Sequence, residues 1–244
     1  MDSFNNESIL NISHLCKTYK GGEMAVKDLS LSLEPGDIYG FIGANGAGKT
    51  TTIKCSVGIL EFESGSITIC GHDIQHDPIS CKRSFSYIPD NPDLFDQLTG
   101  IQYLNFIADV FSLSQDERTK KIQQYSQAFN LVDALGDLIS TYSHGMKQKL
   151  AIIASLIHSP KLFIMDEPFV GLDPESTFKF KEMMRDFVSQ GNAIFFSTHV
   201  LDTAEKLCNK IAIIKKGQLI ASGDIKELTH GESLESCFME YMHE

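Results

Sequence analysis

A glycine-rich segment that ends in lysine and threonine could bind a chain of phosphates. It runs Gly43-Ala44-Asn45-Gly46-Ala47-Gly48-Lys49-Thr50 and fits the pattern G-x-x-x-x-G-K-[ST] in full. Glycine lets backbone N–H groups turn toward an anion without a Cβ in the way. We expect Lys49 to neutralise the β- and γ-phosphates of a nucleotide and the Thr50 hydroxyl to ligate Mg²⁺. The other residues expected to contact the nucleotide here are Asn45, Gly46, Ala47, Gly48 and Thr51.

Two acids follow the apolar run Leu162 to Met165 and could complete the chemistry. A buried strand delivers its last residues to the carboxyl edge of a sheet, where open α/β sheets bind ligands. Asp166 there could hold Mg²⁺ through water, because this ion keeps much of its hydration shell. Glu167 is then placed to polarise an attacking water. Together with the glycine-rich loop, the two acids predict hydrolysis of a Mg-nucleotide. The sequence contains no N-K-x-D motif, so it gives no support for guanine specificity.

Alternating strands and helices must position these residues. The apolar run Ile38 to Ile42 predicts a strand before the glycine-rich loop, and Lys49 to Leu60 predicts a helix after it. Short apolar runs from Ile9 to Val26 are typical of antiparallel strands and turns. The remaining predicted elements outside the helical segment are strands Leu29 to Leu33, Ser66 to Cys70, Phe85 to Ile88, Leu162 to Met165, Ala193 to Ser197, Ile211 to Ile214 and Gln218 to Ala221, and helices Glu175 to Gln190 and Leu201 to Cys208.

The segment between about residues 91 and 159 has a helical pattern instead. Thr99 and Gln102 have the spacing of a capping box and precede an apolar stripe of helical period. Further helices are predicted over Lys121 to Phe129 and Met146 to His158. Because α/β character lies on both sides of this segment, we expect a helical insertion within one domain.

Composition and charge limit the class of protein. The 244 residues are 42% hydrophobic and 22% charged, as in soluble globular proteins, and the net charge is −11. This charge argues against a protein whose main task is gripping nucleic acid. No apolar run approaches the length of a spanning helix, and the first ten residues lack a basic region followed by an apolar stretch, so we expect no secretory signal. Membrane association would therefore come through a protein partner.

A further segment, Tyr142-Ser143-His144-Gly145-Met146-Lys147-Gln148-Lys149, connects these elements to a family. It resembles, in a variant form, the signature sequence of ATP-binding cassette (ABC) proteins, and Asp166-Glu167 follows at that family's distance. Gly171-Leu172-Asp173 resembles the family's D-loop, and Ser197-Thr198-His199 resembles its switch histidine. Tyr19 stands where the family places an aromatic residue against adenine. These elements occur in the family's order from Tyr19 to His199, over essentially the whole chain.

The resemblance implies a role for each of these residues. Ser143 and Gly145 lie at the start of a predicted helix, where a hydroxyl, free amides and the helix dipole form an anion site. One subunit already has such a site in its glycine-rich loop. The resemblance implies that the second site caps the γ-phosphate bound by another subunit, in a head-to-tail dimer that also uses Asp173. It further implies that His199 contacts the γ-phosphate and that Tyr19 stacks on adenine.

Two residues depart from the family's pattern. Asp90, in Tyr87-Ile88-Pro89-Asp90, stands where the family usually has glutamine. A carboxylate there could still ligate Mg²⁺, but it adds negative charge near three phosphates. His144 stands where glycine is commonest in the signature, and it would cost about 1 kcal/mol or more if that backbone required a positive φ. A charged imidazole could equally help to hold phosphate.

Other signals carry less weight. Cys70, His72, His76 and Cys81 lie close together, but their spacing matches no standard zinc pattern. The six cysteines include no CxxC pair, which indicates reduced thiols. The tail from Ser233 to Glu244 has apolar residues at helical spacing and is interpreted as a packing helix.

The resemblance implies a single α/β domain over residues 1–244, with a RecA-like P-loop NTPase core. We expect the core and an antiparallel β subdomain at about 6–90 and 160–225, a helical subdomain at about 91–159 and a C-terminal helix at about 226–244. ATP would bind at the glycine-rich loop, with Mg²⁺ on Thr50, Asp90 and Asp166, and with Lys49, Glu167 and His199 in catalytic roles.

The predicted function is an ATP-hydrolysing subunit at the cytoplasmic face of the cell membrane. It would form a dimer, with a homodimer favoured, and power a separate polytopic membrane subunit, with no nucleic-acid partner. The short form and the signature resemble bacterial exporters of drugs, antimicrobial peptides or peptide signals. Two alternatives stay open: a soluble ABC-type ATPase acting on ribosomes or DNA, and a module that holds ATP without turnover.

Overall fold

Two sheets form the framework of the chain in a computed structural model that describes residues 8–243. Residues 1–7 and 244, at the ends of the predicted domain, lie outside the described part. The strands are β1 (Leu10–Thr18), β2 (Met24–Leu33), β3 (Ile38–Ile42), β4 (Ser64–Ile69), β5 (His72–Asp73), β6 (Phe85–Ile88), β7 (Leu162–Asp166), β8 (Ala193–Thr198), β9 (Lys210–Lys215) and β10 (Gln218–Asp224).

Helices cover the sheets and fill the interval between β6 and β7. They are α1 (Lys49–Ser56), α2 (Pro78–Ser84), α3 (Gly100–Val110), α4 (Gln115–Ala128), α5 (His144–Leu156), α6 (Pro174–Ser189), α7 (Leu201–Leu207), α8 (Ile225–Thr229) and α9 (Leu234–His243).

The central sheet has six strands in the order β10-β9-β3-β8-β7-β6. Strand β3 runs parallel to β8 and β9, and β7 runs parallel to β6 and β8, while β10 is antiparallel to β9. The carboxyl ends of β3, β7 and β8 therefore meet at one edge of the sheet. A second sheet, β2-β1-β4-β5, is antiparallel throughout, with Leu10 opposite Leu33 and Ile69.

Side chains of the central strands alternate between two cores. Ile38 and Ile42 of β3 belong to the core that contains residues of α3 to α6, whereas Tyr39 and Phe41 belong to the core shared with the antiparallel sheet and α1. Successive side chains of a strand point to opposite faces, so a strand covered on both faces is apolar throughout. This explains why the sequence showed continuous apolar runs in these strands.

Several predicted boundaries need correction. The helix predicted over Lys49 to Leu60 ends at Ser56, because Gly58 takes a positive φ of 72° just beyond it. Helix α4 begins at Gln115 instead of Lys121, because Ser114 and Glu117 form a capping box there. Helix α2 was not predicted, although Asp77 caps it and Pro78 occupies its first turn.

The region predicted as a C-terminal helix contains two helices. His230 and Gly231 have positive φ and separate α8 from α9. Leu234 of α9 is fully buried, and Phe238 and Tyr241 pack against the same core. The amine of Lys215 donates to the carbonyl of Met242 at 2.8 Å, which places a positive charge at the C-terminus of α9.

The cysteine and histidine cluster of the sequence forms ordinary local contacts. His72 pairs with Asp77 at 3.0 Å, and His76 pairs with Asp73 at 2.9 Å. Within residues 8–243, no three His, Cys, Asp or Glu side chains are arranged to hold a metal ion. Within the same range, no helix combines the length and the apolar character needed to cross a membrane.

Candidate functional site

The glycine-rich loop leaves β3 and turns directly into α1. Two of its glycines are required by close contacts as well as by backbone conformation. A Cβ on Gly43 would lie 2.5 Å from the carbonyl oxygen of Ile214, and a Cβ on Gly48, at a φ of 110°, would lie 2.5 Å from that of Ala25. The loop is therefore enclosed by neighbouring backbone, with the N-terminus of α1 directed to its interior.

Lys49, the first residue of α1, lies inside this loop. Its Nζ donates to the carbonyl oxygens of Gly43 at 2.7 Å and Ala44 at 3.3 Å, and the residue is 7% exposed. Burial lowers the pKa of Lys49, while the carboxylates of Glu167 and Asp166 act in the opposite direction. The two acids from the end of β7 thus lie in the electrostatic surroundings of the lysine.

Asp166 ends β7 with one free oxygen. The residue is 1% exposed, and its Oδ1 accepts a hydrogen bond from the hydroxyl of Ser197 on β8. Oδ2 is buried without a hydrogen-bond partner among the described residues. An unpartnered buried carboxylate oxygen is costly, so this atom fits a site for a cation or its bound water. No role of its own could be predicted for Ser197 from the sequence, because its contact with Asp166 joins residues 31 positions apart.

Glu167 is held in an uncommon conformation beside the same edge. Its φ is 48°, and its backbone N–H donates to the hydroxyl of Ser197 at 3.1 Å. Its Oε1 lies 2.8 Å from Nδ1 of His199. A non-glycine residue in the left-handed region costs about 1–2 kcal/mol, and such residues cluster at functional sites. The structure therefore brings the predicted base and the predicted switch histidine together.

A cleft of about 840 Å³ opens over these groups. At its far end the hydroxyl of Tyr19 lies 3.1 Å from Oγ1 of Thr51. Asp90 is exposed on its wall, and its carboxylate accepts from the N–H of Asn91 at 2.9 Å. The predicted site residues that line it are Tyr19, Asn45, Gly46, Gly48, Lys49, Thr50, Thr51, Asp90, Asp166 and Glu167.

The turn between β9 and β10 supplies part of the cleft that sequence reasoning missed. The N–H of Gly217 donates to the carbonyl of Ala47 at 2.8 Å, and the carbonyl of Gly217 accepts from the N–H of Lys27 at 2.8 Å. These bonds fix the turn to the glycine-rich loop and to β2. No local pattern could have revealed them, because they join segments far apart in sequence. The unpredicted residues on the cleft walls are Gly22, Glu23, Met24, Ala25, Lys27, Lys216 and Gly217.

A family model described as ABC transporter matches residues 26–170, which is more than half of the chain. The matched stretch contains the glycine-rich loop, the variant signature and both acids at the end of β7. The chain belongs to the ABC transporter family. It is an ATP-binding subunit, an ATPase that energises an ABC transporter, as the sequence predicted.

Two relatives of this ABC subunit from Bacillus subtilis resemble it over most of its length. The ABC-type transporter ATP-binding protein EcsA is 35% identical over 221 residues, which cover 91% of this chain and 89% of EcsA. The linearmycin resistance ATP-binding protein LnrL is 34% identical over 220 residues, which cover 90% of this chain and 70% of LnrL. The likeness therefore spans nearly the whole ABC subunit.

Solved structures confirm the predicted fold class of the ABC subunit. An ATP-binding subunit of an ABC transporter superposes with a TM-score of 0.92 at 32% identity, over 96% of this chain and all of the other. A dimeric ATP-binding cassette in a post-hydrolysis state with ADP and Pi shares the fold at 20% identity and a TM-score of 0.79, over 88% of this chain and 98% of that chain.

The signature segment of the ABC subunit lies outside the cleft. Ser143 caps α5, because its hydroxyl accepts from the N–H of Met146 at 3.3 Å, and both Ser143 and His144 are exposed. His144 is the first residue of the helix and does not have a positive φ, so the strain considered for a non-glycine residue there does not arise. Neither Ser143 nor Gly145 lines the cleft of its own chain, within the part that the structure describes.

Asp173, the last residue of the predicted D-loop, caps α6. It accepts from the N–H of Ser176 at 2.8 Å and forms an ion pair with Lys149 of α5 at 2.7 Å. The hydrogen bond from Lys149 and those from Ser176 hold the pKa of Asp173 well below its usual range. The D-loop is thus fastened to the signature helix.

Proposed function

We propose that this ABC subunit binds Mg-ATP in the cleft and hydrolyses it there with Glu167 as the general base. The observation that carries the proposal is the set of groups around Lys49: an enclosed phosphate loop, a buried carboxylate oxygen on Asp166 with no hydrogen-bond partner among residues 8–243, and a glutamate held against His199. Thr50, Asp90 and Asp166 would hold Mg²⁺, which supplies positive charge to the β- and γ-phosphates when bound.

The residues of the chain would each do one physical task. Lys49 would exchange its bonds to loop carbonyls for bonds to the β- and γ-phosphates. Oε1 or Oε2 of Glu167 would take a proton from the attacking water, while His199 keeps the carboxylate in place. Tyr19 would lie against adenine at the other end of the cleft.

A second copy of the chain would complete each site. The N-terminus of α5 lies at the surface, with Ser143 exposed and Gly145 half-buried, and neither residue lines the cleft of its own chain in the part that the structure describes. A helix N-terminus attracts anions, and a γ-phosphate bound by another copy is an anion of the right kind. In a head-to-tail pair, each α5 would cap the nucleotide of the partner, and Asp173 would lie at the same interface.

ATP-dependent pairing gives a direct test. Glu167→Gln keeps the shape of the site but removes the base, so bound ATP persists. Light scattering after size exclusion should show a shift from the mass of a monomer, 27.1 kDa, to about twice that mass only when ATP and Mg²⁺ are present. Ser143→Glu in the same background places a negative charge toward the γ-phosphate and should prevent the shift. A Glu167→Gln variant that stays monomeric at saturating ATP would refute the pairing.

A polytopic membrane subunit is the proposed partner. A groove of about 380 Å³ lies between β6, α3 and α5, lined by Tyr87, Pro89, Leu94 and Tyr103 among others, close to Asp90. Its mixed apolar and polar lining suits a short helix from that subunit. The likeness to LnrL, a resistance protein, supports export over import.

Affinity purification from detergent-solubilised membranes of the host tests this partner. A polytopic protein recovered in stoichiometric amount would support the proposal and direct the search for cargo. Tyr103→Glu, which places a charge in the groove, should abolish that recovery and leave ATP hydrolysis by the isolated subunit intact. Recovery only of ribosomal or DNA-associated proteins would refute the membrane partner.

A further inference from the structure

The first two turns of α5 hold the loop that follows Glu167. This loop, residues 168–173, is defined here as the post-base loop. At its start, Nε2 of Gln148 donates to the carbonyl of Pro168 at 3.0 Å. At its end, Lys149 pairs with Asp173 at 2.7 Å. The two side chains come from adjacent positions of α5, so both ends of the loop are attached to one helix.

The middle of the post-base loop is held by the imidazole of His144. A Cβ built on Gly171 would lie 2.4 Å from Cδ2 of His144 and 2.9 Å from its Nε2, so the ring lies directly over the Cα of this glycine. One residue later, a Cβ built on Gly145 would lie 2.6 Å from the carbonyl oxygen of Gly171. Gly171 is thus enclosed between a side chain and the backbone of the same helical turn.

The contact between the His144 ring and Gly171 depends on the size of the side chain at position 144. Gly171 has a φ of 83° and is exposed on the side away from α5 that the contacts with His144 and Gly145 do not cover. With alanine or glycine at position 144 the ring contact would be lost, while the close approach of Gly145 to the carbonyl oxygen of Gly171 would remain. The loop begins immediately after Glu167, whose own φ of 48° already requires support from its surroundings.

We propose that His144 is a positioning residue: its imidazole fixes the post-base loop, and with it Glu167, to the N-terminus of α5. The inference rests on the proposed function, in which that N-terminus meets the nucleotide of the other copy. When a phosphate binds at Ser143, the effect on the position of α5 is then transmitted to Glu167 of the same chain through the contact between His144 and Gly171. The occupancy of one nucleotide site thereby adjusts the base of the other.

Steady-state hydrolysis by three variants tests this role. His144→Ala removes the contact and should lower kcat roughly tenfold, because a small misplacement of a reacting group has a large effect on rate. The KM for ATP should change less than twofold, and the cooperativity between the two sites should fall toward that of independent sites. His144→Phe keeps a flat ring over Gly171 and should restore both. His76→Ala, at a surface pair with Asp73, is the matched control.

The ring variant separates packing from phosphate binding. If the imidazole instead bound the γ-phosphate, His144→Phe would be as defective as His144→Ala, and both would need more ATP to dimerise in the Glu167→Gln background. That result would overturn the positioning role. Unchanged kcat and cooperativity in His144→Ala would overturn it as well.

A reciprocal substitution checks the contact itself. Gly171→Ala places a methyl group against the ring and should lower kcat in the wild type. In the His144→Gly background the same change meets no ring, so its effect on kcat should be smaller. The strain of alanine at positive φ is common to both backgrounds, and the difference between them therefore isolates the contact. Equal effects in both would overturn the proposal.

The dimerisation assay distinguishes failure of this inference from failure of the proposed function. If Glu167→Gln dimerises with ATP while the His144 variants match wild type, only the positioning role is lost. If Glu167→Gln remains a monomer, the two-site function is refuted whatever the His144 variants show.

Discussion

Two helix N-termini of this subunit could bind phosphate, and they are built in opposite ways. Helix α1 begins at Lys49 inside an enclosed loop, beside two acids, and several residues of its first turns are buried. Helix α5 begins at His144 on the surface, with Ser143 exposed in front of it. The first site is a cleft lined by residues of one chain. The second is open and has a use only when another molecule supplies the anion.

The caps of the two helices show the same difference. Gly48 precedes α1 and offers no side-chain cap, so the first N–H groups of the helix stay available for a ligand. Ser143 precedes α5 and already accepts from the N–H of Met146. An uncapped helix end inside the protein requires a ligand to satisfy its amides, whereas a capped end on the surface is stable alone. This difference supports the proposal that each chain binds its own nucleotide at α1.

The enclosed site should be the more sensitive to substitution. Glu167→Gln should lower ATP hydrolysis about 10²–10⁴-fold, the usual contribution of a general base. ATP affinity should change little, because Lys49 and the loop remain. The measurement is phosphate release at saturating ATP, together with equilibrium binding of ATP. Glu175→Gln, at an exposed pair with Lys179, is the control. Equal turnover by the Glu167 variant and wild type would remove Glu167 from its catalytic role.

The open site should respond in hydrolysis but not in binding by the isolated chain. Ser143→Ala removes one hydroxyl donor to the partner's γ-phosphate and should lower turnover roughly 10- to 100-fold, as expected for a hydrogen bond to a charged group. Loss of the cap should lower the stability of α5 by about 1 kcal/mol. ATP binding to a dilute monomer should be unchanged. Ser143→Thr keeps the hydroxyl and should retain turnover, and a defect in monomer binding would contradict the separation of the two sites.

The residues of the enclosed site could be proposed from the sequence because they are contiguous. The glycine-rich loop and Asp166-Glu167 each lie in one short segment, and the apolar strands before them determine the sheet edge at which they end. The same holds for Thr99 and Gln102, whose predicted capping box is present at α3. Boundaries were less predictable where a single positive φ or a capping residue decided them, as at Gly58 and Ser114.

The tertiary contacts that position the site could not be read from the sequence. The hydroxyl of Ser197 donates a hydrogen bond to Asp166, 31 residues away in the sequence. The N–H of Gly217 donates to the carbonyl of Ala47, although the two residues are far apart in the chain. The contact between His144 and Gly171 depends on the packing of α5 against the post-base loop. Local patterns contain no information about which turn of one segment faces which turn of another. In the sequence, only the family resemblance placed these segments in one site, and it did not predict which of their residues are in contact.

Substitutions at the buried C-terminal end of α5 should affect stability, whereas those at its exposed N-terminal end should affect function. His158, just beyond α5, stacks on Phe111 with ring centroids 3.7 Å apart, and its Nε2 lies 3.2 Å from the hydroxyl of Ser86. Burial lowers the pKa of His158 to about 4. In the unfolded chain the imidazole is protonated once the pH falls below its ordinary pKa. At pH values between this ordinary pKa and the folded value of about 4, the unfolded state therefore binds more protons than the folded state. Stability is therefore lost as the pH falls through that window.

Urea denaturation at pH 7 and pH 5 measures this loss. His158 should contribute about 2 kcal/mol of the fall in unfolding free energy between these two pH values. His158→Phe retains the stacked ring without a titrating group, so its fall should be smaller by that amount. His76→Phe, at an exposed histidine, should behave as wild type. Identical pH dependence in His158→Phe and wild type would show that burial does not hold this imidazole neutral.

The smallest expected effect lies at the adenine end of the enclosed site. Tyr19→Ala should weaken ATP binding severalfold, because stacking of an aromatic ring contributes about 0.5–1.5 kcal/mol. Tyr19 is 43% exposed, and its hydroxyl lies within hydrogen-bond distance of Oγ1 of Thr51. Calorimetry with ATP and with inorganic triphosphate separates the contribution of base stacking from that of phosphate binding. Inorganic triphosphate has no base, so it should bind equally to wild type and to Tyr19→Ala.

Tyr19→Phe decides what the hydroxyl adds to this end of the cleft. The variant keeps the ring and loses the contact with Thr51, a residue expected to bind the phosphates. If stacking alone matters, its ATP affinity should equal that of wild type. If the hydroxyl positions Thr51, both ATP and inorganic triphosphate should bind more weakly, by a factor of about five at most for a neutral hydrogen bond of roughly 1 kcal/mol. Tyr19→Ala with unchanged ATP affinity would remove Tyr19 from the adenine site, and the enclosed cleft would then recognise phosphates alone.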